Sequence, residues 1–85
     1  MDAVITLRLF AQARESAGAT RLELDQAEIG DTVGDVLDEA VHRFGQAFAA
    51  VLAGSKVWVN GSPADRTSAV SAGDEVAVLP PVSGG

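Results

Sequence analysis

The feature that most constrains the fold is a stripe of apolar residues between positions 33 and 44. Its members recur at intervals of three and four: Val33, Val36, Leu37, Ala40, Val41 and Phe44. This spacing places them on one face of an α-helix, so the segment predicts an amphipathic helix. Thr32 and Asp35 fit a capping box at its start, and Gly45 can end it. Such a helix needs a sheet or another helix to cover its apolar face.

Two segments before the helix alternate between apolar and polar residues, which is typical of half-buried strands. In residues 3 to 10, Ile5, Leu7 and Leu9 fall on one face, and residues 20 to 25 repeat the pattern. We expect the two strands to pair as an antiparallel hairpin. The polar, Ala-rich connection between them predicts one helical turn.

The residues after the main helix predict a short second helix and two further strands. These three segments are residues 46 to 53, 56 to 60 and 75 to 79. Asn60 and Gly61, followed by Pro63, predict a turn after the first of the two strands. The expected fold class is therefore α+β, a mixed sheet packed on one main helix, which is the β-grasp arrangement of ubiquitin.

Length and composition exclude several kinds of functional site. The chain has 85 residues, enough for one domain, which we assign to residues 1–79 with a tail at 80–85. It has no cysteine and one histidine, His42, which lies off the apolar stripe and is expected to be solvated. We therefore expect no catalytic side chain, no resident cofactor and no metal site.

The charge distribution argues against nucleic acid as a partner. The net charge is −6, and the six basic residues are dispersed rather than clustered into a patch that could neutralise phosphates. The acidic surface serves solubility or attracts a basic partner, and the sequence leaves both open. Asp2 and Arg8 interrupt the start of the chain, and no apolar run could cross a bilayer, so we expect a cytoplasmic protein without a membrane partner.

The C-terminal tail is the strongest candidate for a functional group. Pro80 and Pro81 lack amide donors and should end the sheet, and Gly84 and Gly85 leave an unhindered terminal carboxylate. Once activated by ATP as an acyl-adenylate, that carboxylate can accept a sulfur nucleophile or an amine. We expect an extended, flexible tail that can enter the active site of another protein.

Two segments resemble one known family, the MoaD/ThiS group of ubiquitin-like sulfur carriers, which includes the small subunit of molybdopterin synthase. Residues 9–15 read Leu-Phe-Ala-Gln-Ala-Arg-Glu and are similar to the family's Phe-Ala-x-x-Arg-Glu segment. Residues 73–77 read Gly-Asp-Glu-Val-Ala and lead to Pro-Pro-Val-Ser-Gly-Gly at the end of the chain. The second segment is the more specific, and the resemblance spans the whole chain.

The resemblance implies a carrier that is not an enzyme on its own. A ubiquitin-activating-like enzyme would use ATP to adenylate Gly85, and a sulfur donor would convert it to a thiocarboxylate. The large synthase subunit would then pass the sulfur to cyclic pyranopterin monophosphate for molybdenum cofactor biosynthesis, within a heterotetramer of two small and two large subunits. The residues that would thread into the partner's active site are Pro80, Pro81, Val82, Ser83 and Gly84.

Three other functions stay open at this point. The chain could serve a thiazole, cysteine or tungsten-cofactor pathway, it could be a ubiquitin-like protein modifier, or it could be a binding module with an inert tail. Lys56 is its sole lysine, which argues against chains built on itself.

The sequence assigns structural roles to four residues outside the tail. Phe10 is assigned to the core, with the border of a partner surface as the alternative. Arg14 and Glu15 are assigned to a surface ion pair or a loop-fixing hydrogen bond. Trp58 is predicted to lie on the face opposite Val57 and to cover the sheet edge or form a second small cluster, in preference to contacting a partner.

Overall fold

The computed structural model describes residues 3 to 81, and in it the predicted main helix packs on one face of a five-stranded sheet. In chain order the elements are β1 (Val4–Leu9), α1 (Ala11–Ala17), β2 (Arg21–Asp25), α2 (Gln26–Ile29), α3 (Val33–Phe44), α4 (Gln46–Ala53), β3 (Lys56–Val59), β4 (Ser62–Ala64) and β5 (Glu75–Leu79). The strands are ordered β2-β1-β5-β3-β4. Only the β1–β5 pair among these neighbours is parallel, so the sheet is mixed. The predicted β-grasp fold is confirmed.

The predicted bounds and caps of the main helix, α3, are confirmed. The Thr32 hydroxyl accepts a hydrogen bond from the Asp35 amide at 3.2 Å, and the Asp35 carboxylate accepts one from the Thr32 amide at 3.3 Å. This reciprocal pair satisfies two amides that the first helical turn leaves without partners. Gly45 ends the helix with φ 93°, a backbone conformation that favours glycine.

The core lies between the apolar face of α3 and the inner face of the sheet. Its fully or almost fully buried residues include Ile5, Leu7, Leu9, Leu24, Val33, Val36, Leu37, Ala40, Val76 and Val78. Helix α4 adds Phe48, which is fully buried and meets the Phe44 ring edge-on at 5.3 Å between centroids. Aliphatic residues thus supply most of this core, as the low aromatic content requires.

The connections around β2 contain more helix than predicted. The expected single turn after β1 is the seven-residue helix α1, which buries Ala13 against the core. The short helix α2 was not predicted at all. It is anchored by contacts distant in sequence: the Gln26 amide donates to the Ala3 carbonyl at 2.7 Å, and the Gln26 side chain donates to the Val70 carbonyl at 3.3 Å.

Strand β4 is a second element that the sequence did not predict. Asn60 and Gly61 form the expected turn, with φ values of 50° and 82°, but the chain then pairs back along β3 for three residues. Pro63 lies opposite Trp58 within this strand. Proline is acceptable there because β4 is an edge strand and only one of its sides needs donors.

The capping box gives a direct test of how α3 is held. We expect Thr32→Ala to lower the free energy of unfolding by about 1 kcal/mol, because it removes the side-chain acceptor for the Asp35 amide. For a domain of this size the melting temperature should fall by about 5 °C. Thr20→Ala is the matched control, since Thr20 is an exposed loop residue. Equal melting temperatures for the two variants would show that the cap does not stabilise α3.

Candidate functional site: the exit of the C-terminal tail

The tail leaves the protein from the centre of the sheet. Strand β5 lies between β1 and β3 and ends at Leu79, as predicted, and the half-buried Pro80 and exposed Pro81 follow it. Neither proline can donate to a ladder, so pairing on both sides of β5 stops there. The predicted site residues Val82, Ser83, Gly84 and Gly85 lie outside the described residues, so their roles stay predictions.

Two large apolar side chains are exposed beside this exit. Phe10 is 40% exposed and Leu79 is 37% exposed, and they are the only exposed large hydrophobic residues among residues 3 to 81. They follow Leu9 and Val78, which are partners in the parallel β1–β5 register. The two side chains therefore lie at neighbouring positions on the sheet face opposite α3.

The assignment of Phe10 to the core is wrong. Its backbone is extended, with φ −121° and ψ 152°, so the alternation of β1 continues through it and turns Phe10 away from the buried Leu9. The Arg8 guanidinium lies 5.6 Å from the centre of the Phe10 ring, within the range of a cation–π contact. The alternation in the sequence already indicates this orientation, because it places Phe10 on the same face of the strand as Arg8.

Trp58 extends the apolar surface across the sheet. It is half-buried, and its cross-strand partners are Ala77 on β5 and Pro63 on β4. Val57 packs against the core cluster, so the predicted placement of Trp58 on the opposite face is confirmed. We call Phe10, Trp58, Pro63, Ala77 and Leu79 the exit patch.

Charged residues of both signs border the exit patch. Arg8 pairs with Glu75 at 3.6 Å, in a contact about half exposed on both sides and therefore of little energetic weight. Lys56 is exposed and lies directly opposite Leu79 in the β3–β5 register. The exit of the tail thus combines an apolar centre with one lysine at its edge.

The segment of residues 9–15, the first of the two that carry the family resemblance, leads from β1 into α1 beside this region. Phe10 is the N-cap residue of α1, and Ala13 in that helix is fully buried. Arg14 and Glu15 are exposed, and neither side chain forms an ion pair or hydrogen bond with any residue from 3 to 81. The structural contacts predicted for these two residues are therefore not formed within that range.

None of the polar or charged residues among residues 3 to 81 is fully buried. His42 is exposed on α3, as predicted. Asp65 has its pKa lowered because the Thr67 hydroxyl and amide donate to its carboxylate, in a fully exposed turn after β4. Within residues 3 to 81, no cluster of three or more carboxylate and imidazole groups is placed to hold a metal ion, and no helix is long and apolar enough to cross a membrane.

Comparison with known proteins identifies the family of the chain. The model of the ThiS family matches residues 7–85. Small archaeal modifier protein 1 of Haloferax volcanii is 38% identical over 86 residues, which cover 92% of this chain and 97% of that protein. A crystal structure of the Haloferax volcanii protein covers 96% of this chain and 99% of its own, with a TM-score of 0.83.

Two further solved structures share the fold. A Pyrococcus furiosus protein assigned as molybdopterin converting factor, subunit 1, is 26% identical, with a TM-score of 0.80, and the match covers 95% of this chain and all of that one. A chain from the complex of subunits 1 and 2 of the Helicobacter pylori molybdopterin-converting factor is 17% identical, with a TM-score of 0.67 over 96% of this chain and 99% of that one, which supports the fold alone. The chain therefore belongs to the ThiS family: it is a ubiquitin-like β-grasp protein of the ThiS/MoaD type, a sulfur carrier or a ubiquitin-like modifier.

Proposed function

We propose that the chain is the sulfur-carrying small subunit of molybdopterin synthase, in which Gly85 is the reactive residue. The supporting observation is that the central strand of the sheet, β5, runs directly into Pro80 and Pro81, four residues before the terminal carboxylate. The rigid body thus fixes the start of the tail, while the chemistry occurs at its end. In this proposal the protein acts in the cytoplasm, as expected from the sequence.

The proposed chemistry needs only the carboxylate of this chain. The carboxylate attacks ATP and displaces pyrophosphate, which gives an acyl-adenylate on Gly85. Sulfide from the donor then attacks the carbonyl carbon, and a carbon–sulfur bond forms. The bond from the carbonyl carbon to the phosphate oxygen breaks, AMP leaves with that electron pair, and loss of one proton leaves the thiocarboxylate. ATP and the sulfur donor belong to the activating partner, and the carrier holds no resident cofactor.

The length of the tail suits delivery into another protein. The tail has six residues after Leu79, from Pro80 to Gly85, and at up to about 3.5 Å per residue it reaches on the order of 20 Å. Pro80 and Pro81 favour extended geometry at the start of this segment, whereas glycines at its end pass a narrow channel without side chains. In this proposal Val82 and Ser83 would pass through the same channel.

The exit patch is suited to hold a partner while the tail is inserted. Exposed aromatic and aliphatic side chains at the centre of a contact typically contribute most of its binding energy, and Phe10 and Leu79 have this character. In the proposal the patch docks on the large synthase subunit and on the activating enzyme in turn. The Helicobacter pylori relative by fold was solved as a complex of subunits 1 and 2.

A protein modifier is the second candidate, and the 38% identity to a small archaeal modifier protein favours it. The same acyl-adenylate would then end in an isopeptide bond to a lysine of a target protein. Carriers of the thiazole, cysteine and tungsten-cofactor pathways share the tail chemistry and form a third group.

Reconstitution separates these functions. Carrier converted to the thiocarboxylate is mixed with a purified large synthase subunit and cyclic pyranopterin monophosphate, and molybdopterin is measured by fluorescence after oxidation. We expect molybdopterin to form only with the loaded carrier. Two carriers should be consumed for each molybdopterin, which receives two sulfurs. The protein-modifier function would replace this proposal if no molybdopterin forms and Gly85-dependent conjugates appear on a denaturing gel of cell extract.

The position of the terminal carboxylate gives one prediction. A single alanine added after Gly85 should reduce thiocarboxylate formation to background, because the reactive carboxylate moves by one residue and gains a neighbouring methyl group. The melting temperature should not change. The matched control carries one alanine before Met1 and should load normally. Normal loading of the extended tail would contradict the role assigned to Gly85.

The exit patch gives another prediction. Phe10→Ala should weaken binding to the activating enzyme by about tenfold or more, equivalent to about 1.4 kcal/mol. Its effect on folding should be small because Phe10 is outside the core. Arg43→Ala, on the helical side of the protein, is the control and should bind normally. If calorimetry gives the same dissociation constant for the unchanged chain, Phe10→Ala and Arg43→Ala, the exit patch is not part of the interface.

A further inference from the structure

The outer edge of strand β2 can bind a second copy of the chain. We propose that β2 pairs with β2 of another copy in antiparallel orientation, about a two-fold axis that passes between the two Leu22 residues. The two five-stranded sheets then join into one sheet of ten strands. This interaction surface lies away from the tail and does not depend on the chemistry at Gly85.

The two edges of the sheet differ in their capacity to pair. Among residues 3 to 81, β2 and β4 are the outer strands. Strand β4 has three residues, and its middle residue, Pro63, has no amide N–H to donate. Short edge strands and edge prolines both oppose pairing between sheets. Strand β2 has five residues and no proline, so it is the edge that can accept another strand.

The bonds to β1 determine which backbone groups of β2 point outward. The Thr20 carbonyl accepts a hydrogen bond from the Leu9 amide at 2.9 Å. At the other end of the strand, the Gln26 amide donates to the Ala3 carbonyl at 2.7 Å. Because alternate residues of an antiparallel strand bond to the same neighbour, the even-numbered residues between these ends also face β1. The residues whose amides and carbonyls point away from β1 are Arg21, Glu23 and Asp25.

The side chains on this edge are complementary to a second copy of themselves. Arg21 and Glu23 lie on the outer face of the sheet, 61% and 58% exposed, and form an ion pair at 2.8 Å. In the proposed register, Arg21 of each copy lies directly opposite Glu23 of the other. Four charges then alternate in sign around the two-fold axis, and such a network contributes more than one exposed pair. The second glutamate also offsets Arg8, which lies opposite Arg21 within the chain.

The alternative register, centred on Glu23, is less favourable. It would place the two Glu23 side chains directly opposite each other, and like charges in that position are destabilising. It would also need the Asp25 carboxylate, which already accepts a hydrogen bond from the Ala27 amide at 2.9 Å. The register centred on Leu22 instead brings two half-buried leucines together on the helix side of the sheet. Charge and apolar contact thus favour the same register.

The proposed dimer leaves the exit patch accessible. Antiparallel pairing in the plane of the sheet places the two-fold axis perpendicular to that plane, so both exit patches face the same side. Strand β5 is the third strand from the paired edge, and five spacings of about 4.8 Å separate the two β5 strands by about 24 Å. Each copy can therefore still present its own exit patch to a partner.

The association is expected to be weak and reversible. The contact involves one five-residue strand from each copy, and each chain carries a net charge of −6. Salt at physiological ionic strength screens the overall repulsion more than it weakens contacts between neighbouring charges. We expect a dissociation constant of about 0.1 mM under these conditions, in the range of small, transient contacts.

Sedimentation equilibrium of charge variants tests the proposal, at protein concentrations up to about 1 mM. Arg21→Glu and Glu23→Arg each place like charges opposite one another at both paired positions. Either variant alone should therefore show a dissociation constant at least about tenfold higher than that of the unchanged chain. An equimolar mixture of the two variants pairs glutamates with arginines again, and it should form a dimer of one copy of each.

Two control variants make the same charge changes away from the β2 edge. Arg43→Glu changes helix α3, and Glu15→Arg changes helix α1. Both residues are exposed, as are the two edge residues, so all four variants should keep the melting temperature within a few degrees. The control variants should dimerise like the unchanged chain, which separates pairing at β2 from an effect of net charge.

Three results would overturn the proposal. The unchanged chain could stay monomeric up to about 1 mM, the edge variants could dimerise as well as the control variants, or the mixture could fail to associate. A monomeric chain whose β2 amides become protected from hydrogen exchange on binding the activating enzyme would assign this edge to that partner. None of these results bears on sulfur loading at Gly85, which is measured separately.

Discussion

The parallel pairing of β1 with β5 is the constraint on which the rest of the structure depends. It places the last strand of the chain between the first strand and β3, so β5 is bonded on both sides and its Val76 and Val78 are fully buried. A parallel pair requires a long connection, and the helices of this fold supply it while covering one sheet face. The beginning of β5 is fixed as well, because its Glu75 amide donates to the Asn60 side chain at 2.9 Å. The strand from which the tail continues is therefore held at its start and along both of its edges.

In this arrangement the groups that determine folding differ from the group proposed to react. The apolar core and the caps of α3 determine the body, and the group that reacts in our proposal is the backbone carboxylate of Gly85, outside the described residues. The carrier then needs no activated side chain, since the adenylating and sulfur-transferring groups belong to its partners. The same register that sets Leu79 beside Phe10 also sets it beside Lys56. The exit patch and the lysine at its border thus arise from one arrangement of three strands.

The sequence predicts those elements whose own residues determine them. The bounds of α3 follow from a continuous stripe with caps at both ends, and β5 ends where proline removes the donors. Helix α2 and strand β4 could not be predicted in this way, because Gln26 is held by Ala3 and Val70, and Pro63 by pairing opposite Trp58. The candidate site was partly accessible to sequence alone: the last two residues predict its chemistry, whereas the exit patch is formed only when strands distant in sequence are paired.

Intact-protein mass spectrometry after incubation with ATP, a ubiquitin-activating-like enzyme and a sulfide source tests the central claim most directly. We predict a mass gain equal to the replacement of one oxygen by sulfur, localised by fragmentation to Gly85. An unchanged mass, with the enzyme shown to be active on another carrier, would contradict it.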